Sequence, residues 1–135
     1  LKIIEETENT IVLSDLASKD NTGEKPFRIF IGNSSEDDAV GLYVKSWKDC
    51  WREVLIYCYN LGKEKFNTLY SDSDIKFSKN ALIGSNAKIA AYTERLIEGQ
   101  NIFYNATMNT NFLIKAMNIV ANKYQIADKI FIELM

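Results

Sequence analysis

YVKSWKDCWREVLIYCYNLG, residues 43–62, contains both tryptophans and both cysteines of the chain. Apolar side chains recur in this stretch at steps of three and four residues, the spacing of one face of an α-helix. The residues on that face are Trp47, Cys50, Trp51, Val54, Leu55, Cys58 and Leu61. The pattern predicts an amphipathic helix over residues 47–61 whose indole and thiol groups face the core rather than a ligand.

The two ends of this predicted helix carry residues that are typical of helix boundaries. Ser46 can cap the N-terminus, and Asp49 three residues later completes a capping box with Asp in place of the usual Glu. Gly62 directly after the helix is typical of the left-handed residue that ends one. We expect Trp47, in the first turn, to remain partly exposed.

Composition limits the classes of function. The chain has 135 residues, enough for one domain, and 47% of them are hydrophobic. Its net charge is −2 and its pI about 5.2, so nucleic acid can be bound only through a local patch. Histidine is absent, which excludes catalytic triads and zinc sites that use it.

The cysteines and the termini suggest the surroundings of the protein. Cys50 and Cys58 lie about 12 Å apart along a helix, too far for a disulfide, and a reduced pair predicts a cytoplasmic protein. The chain shows no apolar run of about 20 residues, so we expect no membrane partner. It begins with Leu1 rather than methionine, which suggests a fragment or the C-terminal part of a longer protein.

The order of elements predicts the fold class. Residues 1–26 are interpreted as an N-terminal segment or linker, in which TIVLSDLA forms a short docked strand or helical turn, and residues 27–135 as a single domain. We predict helices at 47–61, 63–71 and 109–125, and strands at 27–32, 40–46, 75–78, 101–107 and 127–135, with 89–100 ambiguous. This order is typical of an α+β fold with a mostly antiparallel sheet and two long helices packed on one face. The strand–helix–strand unit at the end predicts that 101–107 and 129–134 pair in parallel.

Several segments stand in the order of a domain found in uncharacterised bacterial proteins: TGEKPFRIFIG, YVKSWKDCWREVLIYCYNLGKEKF, FSKN and IFYNATMNTNFLIKAMNIVANKYQIADKIFIEL. The match covers residues 22–134, and S-W-K-D (46–49) and F-S-K-N (77–80) are its most specific parts. The chain resembles this small C-terminal domain of defence- and restriction-associated proteins. The resemblance implies an accessory recognition module of a larger protein. The family is basic before F-S-K-N, whereas this chain has SDSDIK, which weakens a phosphate-binding role for that loop.

Candidate ligand contacts are basic and polar rather than catalytic. A local patch for nucleic acid is predicted from Lys76, Lys79, Asn80, Lys88 and Arg95, extended by Lys45 and Lys48 near the start of the first long helix, where N-terminal amides attract phosphate. The alternative interpretation of these residues is a scattered solvated surface. The acids Glu36, Asp37 and Asp38, and the SDSD of 71–74, lack the ligand spacing of a calcium loop.

Three hypotheses follow for function. The first is a non-catalytic recognition module of a larger bacterial protein that contacts DNA through the local patch and other domains of its parent. The second is a protein–protein interaction or homo-oligomerisation domain, favoured by the acidic pI and the aromatic content. The third, more remote, is a fragment of a Mg²⁺-dependent nuclease that uses the clustered acids. No motif predicts a cofactor or a bound metal.

Overall fold

The computed structural model describes residues 9–32, 41–77, 80–85 and 93–135. Its elements are β1 (Thr10–Val12), α1 (Leu13–Ala17), β2 (Pro26–Ile31), β3 (Gly41–Tyr43), α2 (Trp47–Leu61), α3 (Lys63–Thr68), β4 (Lys76–Phe77), β5 (Asn80–Ala81), β6 (Ile83–Gly84), β7 (Thr93–Arg95), β8 (Phe103–Asn105), α4 (Thr110–Lys123) and β9 (Ile130–Leu134). Every strand pair within these ranges is antiparallel, which confirms the predicted α+β class.

The main sheet has four strands in the order β1-β9-β2-β3. Alternate residues of its two central strands face the core, and Ile29, Ile130 and Ile132 are fully buried there. Phe30 and Phe131 pair on the opposite face of the sheet. Two smaller sheets, β4-β5 and β6-β8-β7, are separate from the main sheet. The inner face of the main sheet shares one hydrophobic core with the long helices.

Helix α2 confirms the prediction for the tryptophans and cysteines. Trp51, Cys50 and Cys58 have no exposed surface, and Trp47 is 6% exposed, so the expected partial exposure of Trp47 is wrong. Each indole N–H has a carbonyl acceptor: that of Trp51 donates to Asn105 at 3.1 Å, and that of Trp47 donates to Glu24 at 2.8 Å. The indoles therefore join α2 to two neighbouring segments without leaving a buried donor unpaired.

Both boundaries of α2 are as predicted, but the conformation of the residue that follows it is not. The Ser46 hydroxyl accepts from the amide of Asp49, and the Asp49 carboxylate accepts from the amide of Lys45 instead of that of Ser46. Gly62 is extended, with φ −168° and ψ 99°, so the predicted left-handed conformation is wrong. The reason is that α3 begins at once: the Gly62 carbonyl accepts from the amide of Phe66, and the glycine caps the next helix.

The two long helices, α2 and α4, pack side by side and run parallel. Their N-terminal turns meet around a shared hollow that includes Ser46 and Thr110. At their other ends the Tyr124 hydroxyl donates to the Gly62 carbonyl at 2.9 Å. Parallel packing places the positive ends of both helix dipoles at one end of the molecule.

A third helical segment adds to the two long helices that were predicted. Helix α3 continues into a 3-10 helix, Leu69–Ser71, and Phe66 and Leu69 from this segment are buried, as the sequence indicates. The helical layer is therefore more than a pair of helices. Within the described ranges no helix is both long and apolar enough to cross a bilayer.

The predicted parallel pairing of residues 101–107 with 129–134 is wrong. Strand β8 lies in the three-stranded sheet between β6 and β7, whereas β9 lies between β1 and β2. Strands β7 and β8 close a local hairpin, with Gly99 at φ 82° in its turn. Both edges of β8 are occupied, by β6 on one side and by β7 on the other, so β8 has no free edge with which β9 could pair. The ambiguous segment 89–100 thus contains the strand Thr93–Arg95, and residues 89–92 lie outside the described ranges.

The segment before residue 27 contributes directly to the sheet and the core. Strand β1 pairs with β9 along its whole length, from Thr10 opposite Glu133 to Val12 opposite Phe131. Helix α1 packs against α4, and its Leu13 and Leu16 are fully buried. The prediction that TIVLSDLA forms a docked strand or helical turn is confirmed, since both elements are present.

Candidate functional site

A cleft lies where the N-terminal turns of α2 and α4 face the loop of residues 22–26. It consists of two adjoining hollows of about 440 Å³ and about 500 Å³, which share Gly23 and Thr110. The residues that line it are Thr22, Gly23, Glu24, Lys25, Pro26, Lys45, Ser46, Trp47, Lys48, Ala106, Met108, Asn109, Thr110, Asn111, Phe112, Leu113 and Lys115.

The backbone supplies hydrogen-bond donors to this cleft. The first amides of a helix have no partner within the helix. Side-chain caps take one amide in each: Ser46 accepts from Asp49, and Asn109 accepts from Phe112 at 2.9 Å. The predicted capping role of Ser46 is confirmed, and Asn109 caps α4 in the same way. The earlier amides of each first turn are left for a ligand or for water, and both helix dipoles add positive potential there.

The side chains give the cleft a positive charge that the whole chain lacks. Four lysines line it, Lys25, Lys45, Lys48 and Lys115, against one lining acid, Glu24, and two carboxylates that are hydrogen-bonded to its walls, Asp20 and Asp49. The complete sequence has 16 basic and 18 acidic residues, so basic charge is concentrated at this place. Such a local excess is what a chain of near-neutral charge needs to bind a polyanion.

One of these lysines is already engaged in an ion pair. The ammonium of Lys48 lies 2.7 Å from Glu94 Oε2, and the buried Tyr104 hydroxyl donates to Glu94 Oε1. The hydrogen bond from Lys48, followed by that from Tyr104, lowers the pKa of Glu94. The pair fixes the start of α2 to strand β7. Lys48 therefore contributes less charge to a ligand than Lys25, Lys45 or Lys115.

Hydrogen bonds hold the loop that forms one wall of the cleft. Asp20 accepts from the hydroxyl and amide of Thr22 and from the side-chain amide of Asn111 in α4. These bonds, led by that from the Thr22 hydroxyl, lower the pKa of Asp20 to about 2. The amide of Asn21 donates to Asn111 as well. Gly23 has φ 85°, a conformation that glycine adopts without strain.

The structure brings together only part of the predicted basic patch. Lys45 and Lys48 line the cleft, as expected from their position near the start of α2. Lys76 lies elsewhere: Asp74, two residues before it, pairs with Lys123, the last residue of α4. Since α4 is 14 residues long, Lys76 lies toward its far end, about 20 Å from the turn that lines the cleft.

The remaining predicted contacts do not line the cleft or are outside the described ranges. Arg95 donates to the Gln100 carbonyl and to the Asn101 side chain within its own hairpin, and stacks on Phe103 at 4.8 Å. Asn80 belongs to the short strand β5. Lys79 and Lys88 are outside the described residues.

Sequence reasoning missed Lys25 and Lys115. Lys25 stands in TGEKP, directly before strand β2, where its charge has no periodic pattern to mark it. Lys115 lies six residues, about one and a half to two turns, after the cap Asn109 and is exposed. The sequence signal that could have identified Lys115 is a lysine that follows a helix cap. The same signal identified Lys48 in α2.

The thiol groups within the described ranges are buried, and the acidic groups there do not converge on one point. Burial raises the pKa of Cys50 strongly and that of Cys58 to about 12, so neither thiol is activated. No group of three or more acidic or thiol side chains converges within the described ranges. Asp72 and Asp74 of the SDSD segment both pair with Lys123. The acids Glu36, Asp37 and Asp38 lie outside those ranges.

Comparison with known proteins identifies no relative. The chain matches no family model, and no curated protein and no solved structure is significantly similar to it. The resemblance to the bacterial S-W-K-D and F-S-K-N domain therefore stays a prediction.

Proposed function

We propose that the chain is a non-catalytic recognition module that binds the phosphate backbone of nucleic acid in the cleft between α2 and α4. The observation that carries the proposal is the meeting of two long-helix N-termini with Lys25, Lys45 and Lys115 around one concave surface. Catalytic groups are not needed for this role. A phosphate group would receive backbone amides from the helix ends and charge from the lysines.

Electrostatics favours this ligand in two separate ways. Each helix N-terminus carries a charge equivalent to about +0.5, and the parallel packing of α2 and α4 places two of them together. Three or four lysines in contact with phosphates would release counterions, so the logarithm of the association constant should fall with the logarithm of salt with a slope of about −3. Binding would be strongest at low salt.

The resemblance to bacterial defence-associated domains favours DNA as the nucleic acid. It also favours a place in the cytoplasm as one part of a larger bacterial protein, whose other domains would be partners. These finer assignments belong to the proposal. A charged cleft without base-specific contacts would position such a module on the backbone, while sequence would be read elsewhere.

A second candidate function is association with another protein through β3. This strand is at the edge of the main sheet, and its Leu42 and Tyr43 are 41% and 73% exposed. An exposed strand edge can pair with a strand of a second copy or of a partner. Light scattering over a range of protein concentrations tests this candidate, since a molar mass near that of the 15.4 kDa chain at all concentrations argues against self-association.

The proposed function is tested by fluorescence anisotropy with a labelled DNA duplex, titrated at several salt concentrations. The test variant is the double substitution K25A/K45A, which removes two cleft charges. We expect its salt slope to be smaller than that of the wild type by about 2, one unit for each lost phosphate contact. The matched control is Lys63→Ala, because Lys63 is exposed and follows the C-terminus of α2, about 20 Å from the cleft.

Lys76→Ala separates the cleft from the patch that the sequence predicts. If the cleft is the site, Lys76→Ala and Lys63→Ala should both bind with the wild-type slope. An equal loss for Lys76→Ala and K25A/K45A would place the contact on the predicted patch instead. Absence of binding by the wild-type chain at low salt, where electrostatic affinity is greatest, would refute the proposed function.

A further inference from the structure

An exposed aromatic pair lies at the end of the main sheet that adjoins the cleft. Phe27 is 38% exposed and Tyr43 is 73% exposed, although most large apolar side chains of the described residues are buried. Their ring centroids are 5.2 Å apart at an interplanar angle of 71°. The Arg28 guanidinium lies 5.8 Å from each centroid and is held in place by Glu133 at 2.6 Å. The pair is thus a positioned surface rather than two loose side chains.

The neighbouring aromatic ring, that of Phe30, packs within the sheet and is less accessible to a ligand than Phe27 and Tyr43. Phe30 covers the backbone of Gly41 on the adjacent strand, where an added Cβ would fall 2.5 Å from its ring. Phe30 is only partly exposed, and Arg28 stacks on it at 5.2 Å. Glycine at position 41 leaves room for this ring. The open aromatic surface is therefore Phe27 and Tyr43.

Each ring of the pair lies two residues from a lysine of the cleft. Tyr43 precedes Lys45, and Phe27 follows Lys25. Pro26 lines the cleft directly before Phe27, and the amide of Val44, between Tyr43 and Lys45, donates to the Phe27 carbonyl at 3.1 Å. The Cα atoms of residues two apart in the chain are at most about 7 Å apart. The aromatic rings and the cationic residues of the cleft therefore adjoin at one edge of the sheet.

We propose that this edge selects single-stranded nucleic acid, whose bases stack on Tyr43 and Phe27 while its phosphates lie in the cleft. The inference rests on the proposed function and adds the class of ligand. The charge on Lys25 and Lys45 is complementary to phosphate, and the rings offer what an unstacked base requires. In a duplex the base faces are already stacked on one another, so the rings would contact nothing but groove edges and backbone.

The experiment compares a fluorescein-labelled single strand of about ten nucleotides with its duplex, by anisotropy at one low salt concentration. The test variant is Tyr43→Ala, for which we expect single-strand affinity to fall by about fivefold to 100-fold while duplex affinity is unchanged. Tyr43→Phe keeps the ring and should keep single-strand affinity. Leu61→Ala is the matched control, since Leu61 is 51% exposed but lies at the opposite end of α2.

The outcomes separate this inference from the proposed function. A single-strand preference that Tyr43→Ala removes and Tyr43→Phe retains supports the inference. Equal binding of strand and duplex, unchanged by Tyr43→Ala, overturns it and leaves the cleft as a site for phosphate backbone. Binding of neither ligand, together with self-association that Tyr43→Ala abolishes in light scattering, overturns both proposals and assigns the aromatic pair to a protein partner.

Discussion

Replacement of Leu16 by alanine tests whether the N-terminal segment belongs to the fold. Leu16 is fully buried in the five-residue helix α1, which packs against α4. If the segment were an undocked linker, this substitution would change the free energy of unfolding by about 0.5 kcal/mol or less. A buried leucine cut back to alanine loses about 2–5 kcal/mol, because apolar contacts are lost and a cavity remains. The losses in free energy of unfolding that the two interpretations predict therefore differ several-fold.

The structure favours the larger loss in free energy of unfolding for Leu16→Ala. A helix of five residues is too short to be stable alone, so α1 depends on the contacts of Leu13 and Leu16 with the core. The Leu16 carbonyl also accepts a hydrogen bond from the buried Asn21 side chain at 2.7 Å, and Asn21 leads into the cleft loop. Loss of the leucine side chain should thus weaken the domain and the wall of the cleft together.

Urea denaturation followed by circular dichroism measures the effect. With a denaturant slope of about 1–3 kcal/mol/M, the midpoint of Leu16→Ala should fall by about 1–3 M. Ser14→Ala is the matched control, since Ser14 is exposed in the same helix and its substitution should leave the midpoint nearly unchanged. If Leu16→Ala unfolds at the same urea concentration as Ser14→Ala, α1 is not docked and the reasoning from burial is refuted.

Two further predictions concern groups whose pKa the fold changes. Cys50 and Cys58 should not react with a thiol reagent in the native state at mildly alkaline pH and should both react in denaturant; rapid native labelling would show that α2 does not bury them. The carboxyl of Asp20 should titrate near pH 2 rather than at its ordinary pKa of 3.8, so its stabilising contribution is present above about pH 4 and is lost as pH falls toward 2. Asn111→Ala should raise that pKa in an NMR titration, and no change would contradict the hydrogen-bond assignment.

Local sequence pattern is sufficient to predict where the two long helices begin and end. The boundaries of α2 follow from its apolar spacing and from Ser46, and those of α4 from Asn109, because caps and periodicity act between residues three or four apart. The conformation of Gly62 could not be obtained in this way. It depends on α3 starting at the next residue, which turns a typical helix end into a helix start.

The candidate site was less accessible to sequence reasoning than the core. Lys45 and Lys48 were predicted because both lie near the start of a strong helix. Lys25 and Lys115 come from a loop and from another helix, and they approach the same cleft only after folding. Lys76, which the sequence groups with the others, lies toward the far end of α4, where the neighbouring Asp74 pairs with Lys123.

The sequence by itself determined the class of fold, the two long helices and the inward direction of the indoles and thiols, since each depends on spacing within one segment. Only the tertiary structure decided that α2 and α4 run parallel, that β1 lies beside β9, and that the cleft adjoins an aromatic edge. These features depend on contacts between different segments, such as Gly62 with Tyr124 and Thr10 with Glu133, and such contacts leave no periodic trace in the chain. The physical reason is that local pattern specifies which face of an element is apolar, whereas the partner of that face is chosen by the packing of the whole domain.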